Sequence, residues 1–289
     1  MAGLSDVNSP PFECPVCRAP LARAGDVLAC ASGHSFDVAR EGYVNLLPTQ
    51  HRTRGIGGDT APMLQARRRF LEAGHYRPLL DLLAEKVAVG LGESSATDSS
   101  VVLEVGSGEG YYVAGVAEAL ARSGAGVEFL GMDVAKAAAK TAAKRYSDVT
   151  FFVGDVNKRI YLCDASVDVL LDVFAPLNPL EFARVLRGEG ALLVTIPGDA
   201  HLASLRSALG LLEIQEDKEA KVLARLEGTF RLAGRSELCY ELALSSAEVA
   251  DLVAMGPNQW HRGATGDGEA LAPMVTEASF IVLTLVPNW

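Results

Sequence analysis

Val102-Leu103-Glu104-Val105-Gly106-Ser107-Gly108-Glu109-Gly110-Tyr111-Tyr112 runs from an apolar strand through three alternating glycines into a helical stretch. Glycines at that junction let the backbone turn tightly and approach a nucleotide-like ligand at the carboxyl edge of a sheet. The spacing discriminates among ligands. Dinucleotide-binding loops follow Gly-x-Gly-x-x-Gly, whereas here the order is Gly106-x-Gly108-x-Gly110, with Tyr111 where the third glycine would stand. Downstream, apolar segments 101–105, 127–132, 149–153, 167–171 and 191–196 read as buried strands, and stretches 112–122, 135–146 and 179–187 between them as helices. Continuous apolar strands alternating with helices predict an α/β fold with a parallel sheet covered on both faces. Beyond it, 202–212 and 247–255 read as helical, 237–244 as extended and 280–286 as a final strand.

Acidic residues recur where these strands end. Asp133 follows the second strand and can accept both ribose hydroxyls of a nucleoside; Asp155 follows the third and can accept from an adenine amino group while the amide of Val156 reaches a ring nitrogen. Glu104, a charge at the end of an apolar strand, can pair with a ligand amino group directly or through water. This set, with a glycine loop that cradles no pyrophosphate, predicts S-adenosylmethionine as the cofactor. Asp172, in Asp172-Val173-Phe174-Ala175-Pro176 after the fourth strand, stands where a target-contacting group belongs and is the candidate catalytic carboxylate, suited to accept a proton from the target.

The 289-residue chain has length for one substantial core and a small appendage. No apolar run approaches the roughly 20 residues of a membrane span, and the start lacks signal-peptide order, so the expectation is a cytoplasmic protein without a membrane partner. The net charge of −10 argues against a polyanionic partner, but it is uneven: residues 1–80 hold nine Lys/Arg and seven Asp/Glu, a net +2, leaving −12 for the rest. Three of the five cysteines fall between residues 14 and 30. Cys14-x2-Cys17-x12-Cys30-x3-His34 offers four donors in two knuckles, a spacing that predicts one structural zinc ion without an open coordination position. Cys163 and Cys239 read as buried thiols. The boundaries expected are a zinc-binding module with an RNA-recognition role at 1–48, a linker and helical lead-in at 49–100, and the catalytic domain at 101–289.

CPVCRAPL and CASGHSFDVAREGYVNLL in the module, QARRRFLEAGHYRPL in the lead-in, EVGSGEGYY, GMDVAKAAAKTAAKRY and AMGPNQWHR together span nearly the whole chain. In these segments the sequence resembles the RlmA-type 23S rRNA guanine-N1 methyltransferases, a family that includes macrolide-resistance members of the tylosin-resistance type. The resemblance implies a class I methyltransferase domain, with a Rossmann-like, mainly parallel seven-stranded sheet, behind an N-terminal zinc-binding domain. It implies methyl transfer from S-adenosylmethionine to N1 of a guanine in a hairpin loop of 23S rRNA. It also implies that Cys14, Cys17, Cys30 and His34 are zinc ligands, and that Tyr76, Tyr112, Val113 and His201 contact the cofactor alongside Glu104, Gly106, Gly108, Asp133, Asp155 and Val156. Which guanine is modified, and whether the enzyme is a homodimer, stay open.

The same residues fit two other classes: a methyltransferase for a small molecule or a protein, and a binding protein that has lost catalysis. The basic His51-Arg52-Thr53-Arg54 segment beside a zinc module speaks against the first, and an intact glycine loop against the second. His75 reads as a cap at a helix junction. Trp260 and His261 read either as stacking groups for an unstacked base or as a seal on the core edge.

Overall fold

The structure, a computed structural model, describes residues 10–48, 60–92, 100–121, 126–210, 217–256 and 271–288. The N-terminal module holds three short antiparallel strands, β1 (Ala22–Ala24), β2 (Val27–Ala29) and β3 (Ser35–Asp37), followed by β4 (Val44–Asn45). Two helices follow, α1 (Ala61–Glu72) and α2 (Arg77–Leu91). Thr60 caps α1 by accepting from the Met63 amide, and Pro62 occupies its first turn, where a missing N–H costs nothing. The core alternates as the sequence predicts: β5 (Ser100–Val105), α3 (Tyr111–Leu120), β6 (Val127–Asp133), α4 (Lys136–Arg145), β7 (Thr150–Val153), β8 (Val167–Val173), α5 (Pro179–Val185), β9 (Leu186–Pro197). Helices α6 (Ala203–Leu209) and α7 (Lys218–Leu226), strand β10 (Phe230–Leu244), α8 (Ser246–Ala254) and β11 (Met274–Pro287) complete it.

The main sheet has the order β10-β11-β9-β8-β5-β6-β7-β4. Strands β9, β8, β5, β6, β7 and β4 are mutually parallel, and β11 runs antiparallel to both β9 and β10, so that β10 points the same way as the parallel strands. This is the expected seven-stranded class I methyltransferase sheet with an eighth, two-residue strand added at its edge by the N-terminal module. The chain leaves β5 toward β6 and β7, then returns to β5's other side as β8. That reversal opens a crevice at the carboxyl ends of β5 and its neighbours, where ligands of open α/β sheets sit.

Side-chain alternation along the strands divides the interior in two. Val102, Leu171, Leu193 and Phe280 face one core with α2, α3 and α8; Leu103, Leu170, Leu192 and Ile281 face the other with α5 and α7. The module belongs to the second core, since Phe12, Leu21, Leu28, Val44 and Leu46 cluster there with Phe152 and Leu162. Phe12 stands edge-on to Phe152 with ring centroids 5.2 Å apart, and Glu13 forms a bidentate pair with Arg159 at 2.6 Å.

Three segments go beyond the sequence reading. Helix α7 lies where no element is expected, and β10 and β11 extend well past 237–244 and 280–286. In β10 alternate residues are exposed, the pattern of an edge strand with one wet face, so its first half reads as polar chain and hides its length. Among the described residues no helix is long and apolar enough to cross a membrane.

Candidate functional site

A cavity of about 640 Å³ opens at the carboxyl ends of β5, β6, β7 and β8. Tyr76, Glu104, Gly106, Gly108, Tyr112, Met132, Asp133, Asp155, Val156 and His201 line it. Of the ten cofactor candidates, then, only Val113 is absent from the wall. It is fully buried, and its amide donates to Glu104 Oε2 at 2.8 Å. Glu104 therefore satisfies an otherwise unpaired N–H in the first turn of α3 from the neighbouring strand. Burial pushes its carboxyl up to about 8, with the nearby Asp133 and Asp172 adding to the rise.

The glycine loop holds its shape through conformations that other residues resist. Gly106 sits at φ +66, and a Cβ there would lie 2.7 Å from the Ala175 side chain. Asp133 braces the loop from the next strand: Oδ2 accepts from the Gly108 amide at 2.8 Å and Oδ1 from Ala135 at 2.7 Å. Asp133 stands on the cavity wall, where a carboxylate is the acceptor that ribose hydroxyls require. Asp155 is 3% exposed, and its Oδ1 accepts from the Asn157 amide. Ser107 Oγ is buried on the cavity wall without a hydrogen-bond partner. A polar ligand suits that orphaned hydroxyl, and the cavity's volume suits a nucleoside of the size of S-adenosylmethionine.

An aromatic group closes the far side. Tyr76 is 4% exposed and reaches His201 Nε2 from its hydroxyl at 3.4 Å, while Phe280 packs edge-on to Tyr76 with centroids 4.9 Å apart. His201 Nδ1 accepts from the Ser279 amide at 3.2 Å, so Nε2 carries the ring proton. Burial, then the positive charges of Arg206 and Lys218, lowers its pKa to about 4, and the imidazole is neutral at physiological pH. His75 is structural: its Nε2 meets Glu248 at 2.8 Å and ties the α1–α2 junction to α8.

Helix α1 contributes a wall that the sequence pattern alone does not reveal. Leu64, Arg67, Arg68 and Leu71, spaced as one helical face, all line the cavity. Arg67, Arg68 and Arg69 are adjacent in sequence, but residues 100° apart on a helix take different partners. Arg67 donates to the Met255 carbonyl at 2.9 Å, Arg68 pairs with Glu109, and Arg69 pairs with Asp251.

Asp172 departs most from its expected place. Strand alternation turns its carboxyl away from the cavity toward the face covered by α5 and α7, where it is 1% exposed. Oδ1 accepts from the Ala175 amide at 3.0 Å and Oδ2 is buried without a hydrogen-bond partner. Burial raises its pKa to about 7, opposed by the Ala175 hydrogen bond and by the charges of Arg225 and Lys218. It fixes the loop that carries Phe174 and Ala175 and does not line the cavity.

The four metal-ligand candidates meet at the base of the module. Their donor atoms lie within 4.8 Å of one another. Cys17 Sγ is 3.6 Å from Cys30 Sγ, and His34 Nδ1 is 3.6 Å from Cys14 Sγ and 3.4 Å from Cys30 Sγ. A tetrahedral zinc ion with bonds of about 2.3 Å to sulfur and 2.0 Å to nitrogen requires separations of about 3.5–3.8 Å. The cluster fits zinc, with Nδ1 as the histidine donor. Trp260, His261 and the His51–Arg54 segment lie outside the described residues.

Residues 12–54 match the family model for the RlmA N-terminal zinc ribbon. A 23S rRNA (guanine(748)-N1)-methyltransferase of Streptomyces fradiae is 38% identical over 92% of this chain and 90% of its own length. The chain belongs to the 23S rRNA (guanine-N1)-methyltransferase family. Two further relatives, provisionally named for the same reaction, are a Micromonospora griseorubida protein, 42% identical over 87% of this chain and 88% of its own, and a Bacillus subtilis protein, 32% identical over 68% of each. Within the family frame the chain takes S-adenosylmethionine and zinc, and the cavity and the cysteine cluster fit those two groups.

Asp172 also gives a pH-dependent stability. Its folded pKa of about 7 lies above the 3.8 of an ordinary aspartate, so its contribution is fully present below pH 4 and is lost as pH rises through 7. Asp172→Asn keeps an oxygen for the Ala175 amide and removes the titration. The unfolding free energy of the variant relative to the parent should therefore improve from pH 4 to about 7 and level off above it, by a few kcal/mol in all. Denaturant melts across that range check it; a gap independent of pH would mean that Asp172 is already ionised without cost. Methylation should survive in Asp172→Asn, whereas its loss with a normal melt would return the carboxylate to a proton-accepting role.

Proposed function

We propose that this protein transfers the methyl group of S-adenosylmethionine to N1 of a guanine in a hairpin loop of 23S rRNA, acting in the cytoplasm. The observation that carries the reading is the cavity at the sheet's reversal point, with the glycine loop, Asp133 and Asp155 on three successive strand ends, in a chain 38% identical to a guanine-N1 methyltransferase over most of its length. The cofactor supplies an already activated methyl group, so the protein's task is alignment and proton management. Asp133 holds the ribose, Asp155 and Val156 the adenine, and Ser107 offers its hydroxyl to the polar end. The neutral His201, its Nε2–H directed to the Tyr76 hydroxyl, adds no charge beside a sulfonium. The N1 edge of guanine is occupied in a duplex, which favours a loop base splayed out of its stack. Residues 1–48 act in RNA recognition, with their net-basic neighbourhood contacting few phosphates.

The test incubates the enzyme and labelled cofactor with unmodified 23S rRNA, then maps the label by nuclease digestion and by primer extension, which stops at an N1-methylated guanine. The expected result is one stop in a hairpin loop, with the rate falling only shallowly as salt rises because few phosphate contacts are made. Label on another base or another guanine atom refutes the substrate; transfer to protein or to a small molecule refutes the RNA reading.

A further inference from the structure

Phe174 is built against its own interest. Among the described residues it is an aromatic side chain left 46% exposed, and the other large exposed hydrophobics, Val16, Val89, Leu180, Leu232 and Val275, lie outside the cavity wall. Its φ is +60, a left-handed conformation that a residue with a bulky Cβ substituent adopts only under constraint from its surroundings. The constraints are visible. The Phe174 amide donates to the Thr195 carbonyl at 3.3 Å, and the next residue, Ala175, is fixed by Asp172 on one side and packed against Gly106 on the other. An arrangement that strains the backbone and wets a phenyl ring has no folding benefit to explain it. Strain of this kind gathers at ligand sites, where it holds a group in working position.

The position names the ligand. Asp133 and Asp155 end β6 and β7, on one side of β5; Phe174 follows β8, on the other side. A cofactor whose ribose and adenine occupy the β6 and β7 ends directs its reactive end toward Phe174. The ring is 5.8 Å from Phe280, which is fully buried and packs in turn on Tyr76 and His201 at 4.9 and 4.8 Å. Phe174 is thus the exposed outer member of a ring cluster in which Tyr76 and His201 also line the cavity and Phe280 is buried behind them.

Resting on the proposed function, we infer that Phe174 is the platform on which the unstacked target guanine lies, its ring holding the base plane so that N1 meets the methyl group. Base stacking on an aromatic side chain contributes roughly 10- to 100-fold in binding. The Phe174→Ala variant should lose that much in kcat/KM on unmodified 23S rRNA, while its calorimetric Kd for S-adenosylmethionine stays unchanged. Phe174→Tyr should retain activity within a few-fold. Phe174→Gly separates function from folding: it relieves the left-handed strain, so its melting temperature should equal or exceed the parent's while methylation falls as far as in the alanine variant. Full activity in Phe174→Ala overturns the assignment, and so does a loss of cofactor affinity matching the loss of rate, which would make the ring part of the cofactor site. A parent protein that transfers no methyl group to guanine N1 refutes the function itself and this role with it.

Discussion

Replacing Gly106 with valine is expected to abolish S-adenosylmethionine binding while leaving the zinc module intact. The residue sits at φ +66, where L side chains are strained, and a Cβ would meet the Ala175 side chain at 2.7 Å. The added side chain can only be accommodated by displacing the loop into the cavity or pushing the 173–176 loop off it. Either movement spoils the cofactor cradle, and affinity should fall by at least about two orders of magnitude, roughly 3 kcal/mol. Asp133→Ala acts on the same cradle more gently, removing a charged acceptor that also braces Gly108, and should weaken binding by about 1.5–3 kcal/mol. Calorimetric titration of both variants, with zinc content as the control, decides it. Unchanged affinity in the two together would put the cofactor elsewhere.

Removing zinc should unfold the N-terminal module and end RNA methylation, with cofactor binding reduced only a few-fold. Strands β1, β2 and β3 are three residues each, too little structure to stand without a staple. A structural zinc site contributes about 10–16 kcal/mol of binding free energy, which in so small a unit is folding free energy. Two of the ligands, Cys14 and Cys30, are themselves buried in the core shared with β7 and β8. Loss of the metal should therefore also lower the melting temperature of the whole chain. About one zinc ion per chain should be released under denaturing conditions with a colorimetric chelator, and Cys17→Ser should mimic the stripped protein. Native protein without zinc whose Cys14 and Cys17 alkylate freely would refute the site.

The sequence by itself determined what depends on neighbours along the chain. Gly106-x-Gly108-x-Gly110 after an apolar strand forces a tight turn wherever it is placed, and Asp133 and Asp155 fall at strand ends because the apolar runs stop there. Cys14, Cys17, Cys30 and His34 carry their geometry in their spacing, as two knuckles able to close on one ion. The tertiary structure alone decided what depends on which way a side chain points and what comes to meet it from afar. Strand alternation turned Asp172 out of the cavity, and the Glu104 carboxylate took the Val113 amide for itself. The lead-in helix became a cavity wall because α8 holds it through Arg69 and Asp251, 182 residues apart. The module proved to be an edge of the sheet, because β4 finds β7 across more than a hundred residues, a pairing no local pattern encodes. Phe174 reads in sequence as an ordinary apolar residue at a strand end; only its neighbours Thr195, Asp172 and Gly106, brought together by the sheet, force the positive φ that leaves its ring exposed.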